Sequence, residues 1–323
     1  MRAGQVGHGA GGSAQGPRPG NRTARGPEPV DAGALCRIRA RHPEAVAEAA
    51  ALRPRRTLLG DSGRLMIVAA DHPARGALGV AADPLAMAGR ADLLGRLRLA
   101  LSRPGVDGVL ATADILDDLL LLGALDGKVV LGSMNRGGLA GASFELDDRF
   151  TGYRPEDLRT MRFDAGKLLL RIDYDDPGTA RTLESAARAV DEMARLRLPV
   201  FVEPFLCHRD PASGNLRSDT GAEAVTRSIA IASGLGGSSA CTWLKVPVTD
   251  DPDDMARVME TSTLPAVLLG GDVGPADEGD TAFEKWRHAL QLPTVRGLVV
   301  GRSLLYPADG DVAGAVDTAV GLL

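Results

Sequence analysis

Cys241-Thr-Trp-Leu-Lys-Val-Pro-Val248 reads as a short buried strand, and Lys245 is set among its apolar residues. Burial disfavours the ammonium form of a lysine, so a residue in this setting has a lowered pKa and a share of neutral amine. A neutral amine attacks a carbonyl carbon and forms a Schiff base, which draws electrons from a neighbouring C–C bond. A polar turn follows the strand, and Pro252 then opens an amphipathic helix over 252–260. One strand feeding one helix is the unit from which the rest of the chain is read.

The same unit recurs in both directions. Short apolar runs lie at 65–70, 108–111, 128–133, 166–173, 199–204, 241–248, 265–270 and 297–301. Helical periodicity follows at 83–103, 114–122, from 155, and at 179–196, 221–233, 252–260, 281–290 and 312–322. Eight such units predict a parallel sheet with crossover helices. Their span of about 260 residues is the size of a closed (β/α)8 TIM barrel, an α/β fold. A doubly wound open sheet is the alternative, disfavoured because no G-x-G-x-x-G follows the first strand. Residues 32–64 read as N-terminal helices covering one end of the barrel, broken near His42-Pro43, and 65–323 as the barrel domain. Residues 1–31 are rich in Gly, Pro, Arg, Ser and Ala without periodicity and read as a disordered tail.

Composition narrows the function. The chain has 323 residues, 44% hydrophobic and 24% charged, as in globular proteins. A net charge of −5 and 3% aromatic residues give no case for a nucleic-acid partner. The cysteines Cys36, Cys207 and Cys241 are odd in number and lack C-x-x-C spacing, so neither disulfides nor structural zinc are expected. No signal-peptide core and no run long enough to span a bilayer is present, so the expected compartment is cytoplasmic and no membrane partner is expected. The only lysines are Lys128, Lys167, Lys245 and Lys285, and the other basic residues are arginine, which stays charged and cannot act as this nucleophile. Lys167 and Lys245 fall in predicted core strands, the other two at surface positions.

In such barrels function gathers at the carboxyl ends of strands. There the first strand offers Asp71-His72 and, in the next turn, Arg75. The third offers Ser133, Asn135 and Arg136; the fourth offers Lys167, Arg171 and Asp173 at alternating, same-facing positions. The fifth offers Glu203, whose apolar flanks are expected to raise its pKa and suit it to proton transfer. Asp71 and Asp173 are placed to orient substrate hydroxyls or to hold Lys167 charged. Glycine-rich turns at Gly270-Gly271-Asp272 and Gly301-Arg302-Ser303 suggest phosphate binding, through backbone N–H groups and the planar fork of Arg302. No H-x-H or H-x-x-E spacing supports a metal, and the chemistry calls for no cofactor. Two other readings stay open: a structural Lys245 paired with Glu203, and a Lys167 that only tunes Lys245 electrostatically.

The residues resemble a known group at five places: Ala70-Asp-His-Pro-Ala-Arg-Gly-Ala77, Gly166-Lys-Leu-Leu-Leu-Arg-Ile-Asp173, Val202-Glu-Pro204, Trp243-Leu-Lys-Val-Pro-Val248 and Val300-Gly-Arg-Ser303. These look like the class I (Schiff-base) aldolases of the tagatose-bisphosphate, deoxyribose-phosphate and fructose-bisphosphate type, from about Leu65 onward. The resemblance implies Lys245 as the Schiff-base lysine, Lys167 and Glu203 as its partners, Asp71 on the first strand, and Gly301-Arg302 in the phosphate motif. More narrowly, the chain is similar to a deoxyribose-phosphate-aldolase-like barrel family linked to myo-inositol catabolism. That likeness implies a lyase cleaving 6-phospho-5-dehydro-2-deoxygluconate to dihydroxyacetone phosphate and malonate semialdehyde. The expected partner is thus a phosphorylated sugar or keto-acid, and such barrels usually form homo-oligomers. A deoxyribose-phosphate or fructose/tagatose-bisphosphate aldolase, a phosphosugar isomerase or epimerase, and a non-catalytic sugar-phosphate-binding barrel are the alternatives on the same fold.

Overall fold

Pairing runs unbroken round eight parallel strands. The computed structural model describes residues 1, 27, 30–212, 214–270 and 278–323; the expected tail lies largely outside them. The strands are β1 (Leu65–Ala70), β2 (Gly108–Ala111), β3 (Val129–Ser133), β4 (Ala165–Ile172), β5 (Val200–Arg209), β6 (Leu216–Asp219), β7 (Thr242–Val246), β8 (Ala266–Leu269) and β9 (Val295–Val300). Their order is β4-β3-β2-β1-β9-β8-β7-β5, and pairing of β4 with β5 closes the ring. This is the (β/α)8 barrel that the repeat predicts. β6 lies outside it, pairing antiparallel with the distal half of β5.

The helices are α1 (Ala32–Arg41), α2 (Ala45–Leu52), α3 (Arg90–Ser102), α4 (Ala113–Leu121), α5 (Pro155–Thr160), α6 (Thr179–Leu196), α7 (Ala222–Ser233), α8 (Pro252–Met259), α9 (Glu278–Ala289), α10 (Arg302–Leu305) and α11 (Val312–Val320). The longest, α6, shows why these segments fold as they do. Ala186, Ala189, Val190 and Met193 recur at helical spacing and are buried. The α8 start is fixed by Asp251, whose side chain accepts from the Asp253 amide, with Pro252 in the first turn. None of the helices in the described residues is long and apolar enough to cross a membrane.

Two separate apolar clusters result. One fills the space between strands and helices. The other lies inside the barrel and includes Leu65, Ile67, Leu131, Phe201, Trp243 and Val299. Leu58 and Leu59 pack against it from the segment before β1. The same segment is tied to the strands by ion pairs to one buried aspartate. Arg53 and Arg55 both bind Asp164, which also accepts from the Val130 amide at 2.9 Å. Inward-facing residues alternate along each strand, so the positions that carry on from this apolar layer are Asp71, Ser133, Lys167, Glu203 and Lys245.

Three differences from the sequence reading have physical causes. The helix expected from 83 begins only at Arg90, because Val80 and Asp83 exchange backbone bonds in a tight turn. The polar loop expected after the fifth strand is a hairpin whose outer residues, Arg217, Ser218 and Asp219, are exposed and carry no apolar alternation. The four-residue α10 is too short to show periodicity.

The long β3–α5 connection is held by Asn135. Its amide donates to the carbonyls of Leu169 at 2.6 Å and Asp148 at 3.2 Å, and its oxygen accepts from the Leu169 amide at 2.7 Å. Asn135→Ala leaves buried backbone groups without partners, each costing about 1–3 kcal/mol. The variant is expected to lose several kcal/mol in total in chemical denaturation; a loss below about 0.5 kcal/mol, the size of an ordinary surface change, would contradict this role.

Candidate active site

Inside the mouth of the barrel, one carboxylate grips two lysines. Glu203 Oε1 accepts from Lys245 Nζ, and Oε2 pairs with Lys167 Nζ. The register explains the meeting: Leu169 of β4 lies beside Glu203, and Val202 beside Leu244 of β7. The three polar side chains therefore emerge from three adjacent strands. Trp243 and Phe201 stand one inward step below Lys245 and Glu203, ring centroids 5.1 Å apart. They give the charges an apolar floor.

A second carboxylate extends the network. Asp71, at the end of β1, receives Ser133 Oγ at 3.0 Å, Lys167 Nζ at 3.3 Å and the Arg136 guanidinium, all on Oδ2. Arg136 also donates from Nε to Ser133 Oγ at 3.0 Å. Unpaired, each buried charge would cost on the order of several kcal/mol; here every one has an opposite partner.

Burial pushes the Lys245 amine below the ordinary lysine range. Glu203 opposes this, while Arg136 and Arg302 add to it. Burial first, and then Arg136, push the Lys167 amine down as well, while Glu203 opposes them. For Glu203 the expectation needs correction. Burial does push its carboxyl up, but Lys167 and Lys245 together outweigh burial and hold it below the usual carboxylate range. The sequence places each residue in the core without showing that two cations share this carboxylate.

At the other side of the mouth, Gly270 and the residues after β9 face one another. A Cβ on Gly270 would come 3.4 Å from Ser303 Oγ. That hydroxyl is buried and has no hydrogen-bond partner among the described residues. A Cβ on Gly301 would lie 2.4 Å from the Ala69 carbonyl, so only glycine lets β9 leave the barrel this close to β1. Arg302 stands near enough to Lys245 to depress it. Gly271 and Asp272 lie outside the described residues.

The other expected residues separate into two groups. Arg75 reaches Glu145 at 2.9 Å, and Arg171 binds Asp148 through two nitrogens at 2.8 and 2.6 Å. Glu145 also contacts Arg171 at 3.4 Å, so these four side chains clamp the long loop to the barrel rim. Asn135 spends its polar atoms on backbone. Asp173 is buried, and its Oδ1 accepts from the Asp175 amide at 3.0 Å. Ser133 stands where the third strand offers it, whereas Glu145 and Asp148 are not among the residues expected from sequence. Ser133 shares the inward alternation of β3, a signal that points to it. Glu145 and Asp148 sit in an aperiodic loop that offers none.

The Cgl0159-like family model matches residues 63–320. The crystal structure of Cgl0159 from Corynebacterium glutamicum superposes with a TM-score of 0.87 and 54% identity, covering 92% of this chain and 98% of that one. A Schiff-base-forming fructose-1,6-bisphosphate aldolase gives 0.61 at 20% identity, covering 86% and 99%. An archaeal fructose-1,6-bisphosphate aldolase, with its catalytic lysine bound to the carbinolamine intermediate of the substrate, gives 0.60 at 19%, covering 85% and 100%. At these identities the likeness to the two aldolases is one of fold. None of the curated proteins matches the chain. The extent of the family match and the identity to the corynebacterial protein lead to one conclusion: the chain belongs to the Cgl0159-like family.

Proposed function

We propose that the protein is a class I aldolase that cleaves a phosphorylated ketose or keto-acid through a Schiff base on Lys245. The observation that carries this reading is the buried Lys245 amine held against Glu203 at the mouth of the barrel. Two lysines touch that carboxylate, and access decides between them. The Lys245 side chain is 7% exposed and the Lys167 side chain 1%. Lys167 is gripped by Asp71 as well, which suits an electrostatic role. The Schiff-base chemistry of the two structurally similar aldolases agrees with this reading.

The steps follow from the contacts. Lys245 passes a proton to Glu203, and the neutral amine adds to the ketone. The protonated Glu203 then donates to the carbinolamine hydroxyl, which leaves as water, and a protonated imine remains on Lys245. That cation accepts the electron pair of the breaking C–C bond and becomes an enamine. Lys167, which keeps Glu203 in place, supplies positive charge beside the departing oxygen. Positioning and this fixed charge provide most of the rate. The substrate phosphate sits against Gly270, Gly301, Arg302 and Ser303, where the unpartnered Ser303 hydroxyl supplies a donor. Of the phosphorylated substrates, 6-phospho-5-dehydro-2-deoxygluconate is the one implied by the sequence resemblance, and it yields dihydroxyacetone phosphate as the half held on Lys245.

Borohydride reduction in the presence of dihydroxyacetone phosphate is expected to leave a phosphotriose on the Lys245 peptide. Lys245→Met is expected to abolish the adduct, and Glu203→Gln to slow its formation by about 10²–10⁴-fold, the range for a positioned proton-transfer group. An adduct on another lysine, or none, would overturn the proposal. Ser303→Ala is expected to keep stability within about 0.5 kcal/mol while weakening phosphate-dependent thermal stabilisation. Unchanged stabilisation would remove Ser303 from the phosphate site.

A further inference from the structure

Schiff-base cleavage needs a group that takes part in two proton transfers. One proton is lost from the substrate hydroxyl that becomes the aldehyde, and one is returned to the enamine carbon. The two carboxylates that touch the lysines are already engaged, Glu203 in the proton transfers of imine formation. Both oxygens of Glu203 are taken by lysines. Asp71 Oδ2 receives Ser133, Lys167 and Arg136 together.

His72 differs from both. It opens the 3-10 turn His72–Arg75 directly after β1. Its Nδ1 is buried and has no hydrogen-bond partner among the described residues. The nearest carboxylate oxygen, Asp71 Oδ1, is 3.8 Å away. That is too long for a hydrogen bond, yet close enough to stabilise a positive ring by charge. The side chain is 27% exposed, and the charges that act on the ring are those of Arg302, Lys245, Glu203 and Lys167 at the mouth. Burial first, and then the charges of Arg302, Lys245 and Lys167, oppose protonation, while Glu203 favours it. The balance pushes the imidazole down to about 3, so the ring is neutral in the absence of substrate. A phosphate bound beside Arg302 would offset part of the opposing charge and make the ring a stronger base when substrate is present.

We propose that His72 is a further catalytic residue, the proton carrier of the cleavage step; the assignment rests on the aldolase reading above. The substrate hydroxyl gives its proton to the imidazole as its oxygen forms the aldehyde C=O bond. The C–C bond breaks, and its electron pair neutralises the iminium on Lys245 to give the enamine. After the aldehyde leaves, the imidazolium returns the same proton to the enamine carbon. Water then hydrolyses the restored iminium. Charge and protons balance without a further reagent.

The test separates imine formation from proton carriage. Wild type, His72→Gln and His72→Ala are incubated with dihydroxyacetone phosphate in D2O. Deuterium uptake at the substrate carbon is followed by NMR, and borohydride trapping on Lys245 is measured in parallel. Both variants are expected to keep trapping and to lose exchange by about 10²–10⁴-fold. Free imidazole is expected to restore exchange in His72→Ala, which a structural role would not produce. Unchanged exchange, or loss of trapping in step with exchange, overturns the role of His72 while wild-type trapping upholds the aldolase reading. A wild type that is not trapped overturns both.

Discussion

The bidentate hold of Glu203 on Lys167 and Lys245 is the constraint on which the site depends. Three charges lie inside a barrel whose next layer down is Phe201, Trp243 and their apolar neighbours. Water cannot compensate them there, so they must compensate one another. Asp71 and Arg136 continue the same accounting, and the result is a row of alternating charges across β7, β5, β4 and β1. Such a row fixes side-chain positions without relying on loops, so the strand scaffold itself holds the buried amines against the carboxylates.

The rim of the barrel is built by a different device. The long β3–α5 connection has little secondary structure of its own. It is fixed by the Asn135 amide against β4 and by the ion pairs of Arg171 and Arg75 with Asp148 and Glu145. Gly138 lets this segment lie against its own fold-back, since a Cβ there would meet the Glu145 carbonyl at 2.1 Å. The β5–β6 hairpin reaches the same loop, with Arg209 donating to the Ser143 carbonyl at 3.1 Å. The rim is thus held by loop contacts, whereas the lysine–glutamate arrangement belongs to the strands.

That division also explains what could be read from sequence. Lys167, Glu203 and Lys245 stand out because a charge inside a short apolar run has few harmless explanations, and strand alternation then points all three inward. The turns at Gly270 and Gly301 were legible as strand ends feeding helices. The pairing of Arg171 with Asp148 was not, because it joins a strand to an aperiodic loop 23 residues away. Nor was the sharing of Glu203. Its pKa direction reversed from the expectation because the partner charges, supplied by 36- and 42-residue separations in sequence, outweigh the burial that sequence does reveal. Asn135 looked like a ligand for substrate because it ends a strand; its amide is consumed by backbone.

The central claim is that burial and this shared carboxylate set the state of the Lys245 amine. With only four lysines in the chain, selective ¹⁵N-lysine labelling gives few signals, and a pH titration by NMR can follow Lys245 directly, assigned through Lys245→Met. The account predicts that Lys245 titrates below the ordinary lysine range. It also predicts a further fall in Glu203→Gln, because the carboxylate that favours the ammonium has been removed. A Lys245 that titrates in the ordinary range, and does not respond to loss of Glu203, would contradict it.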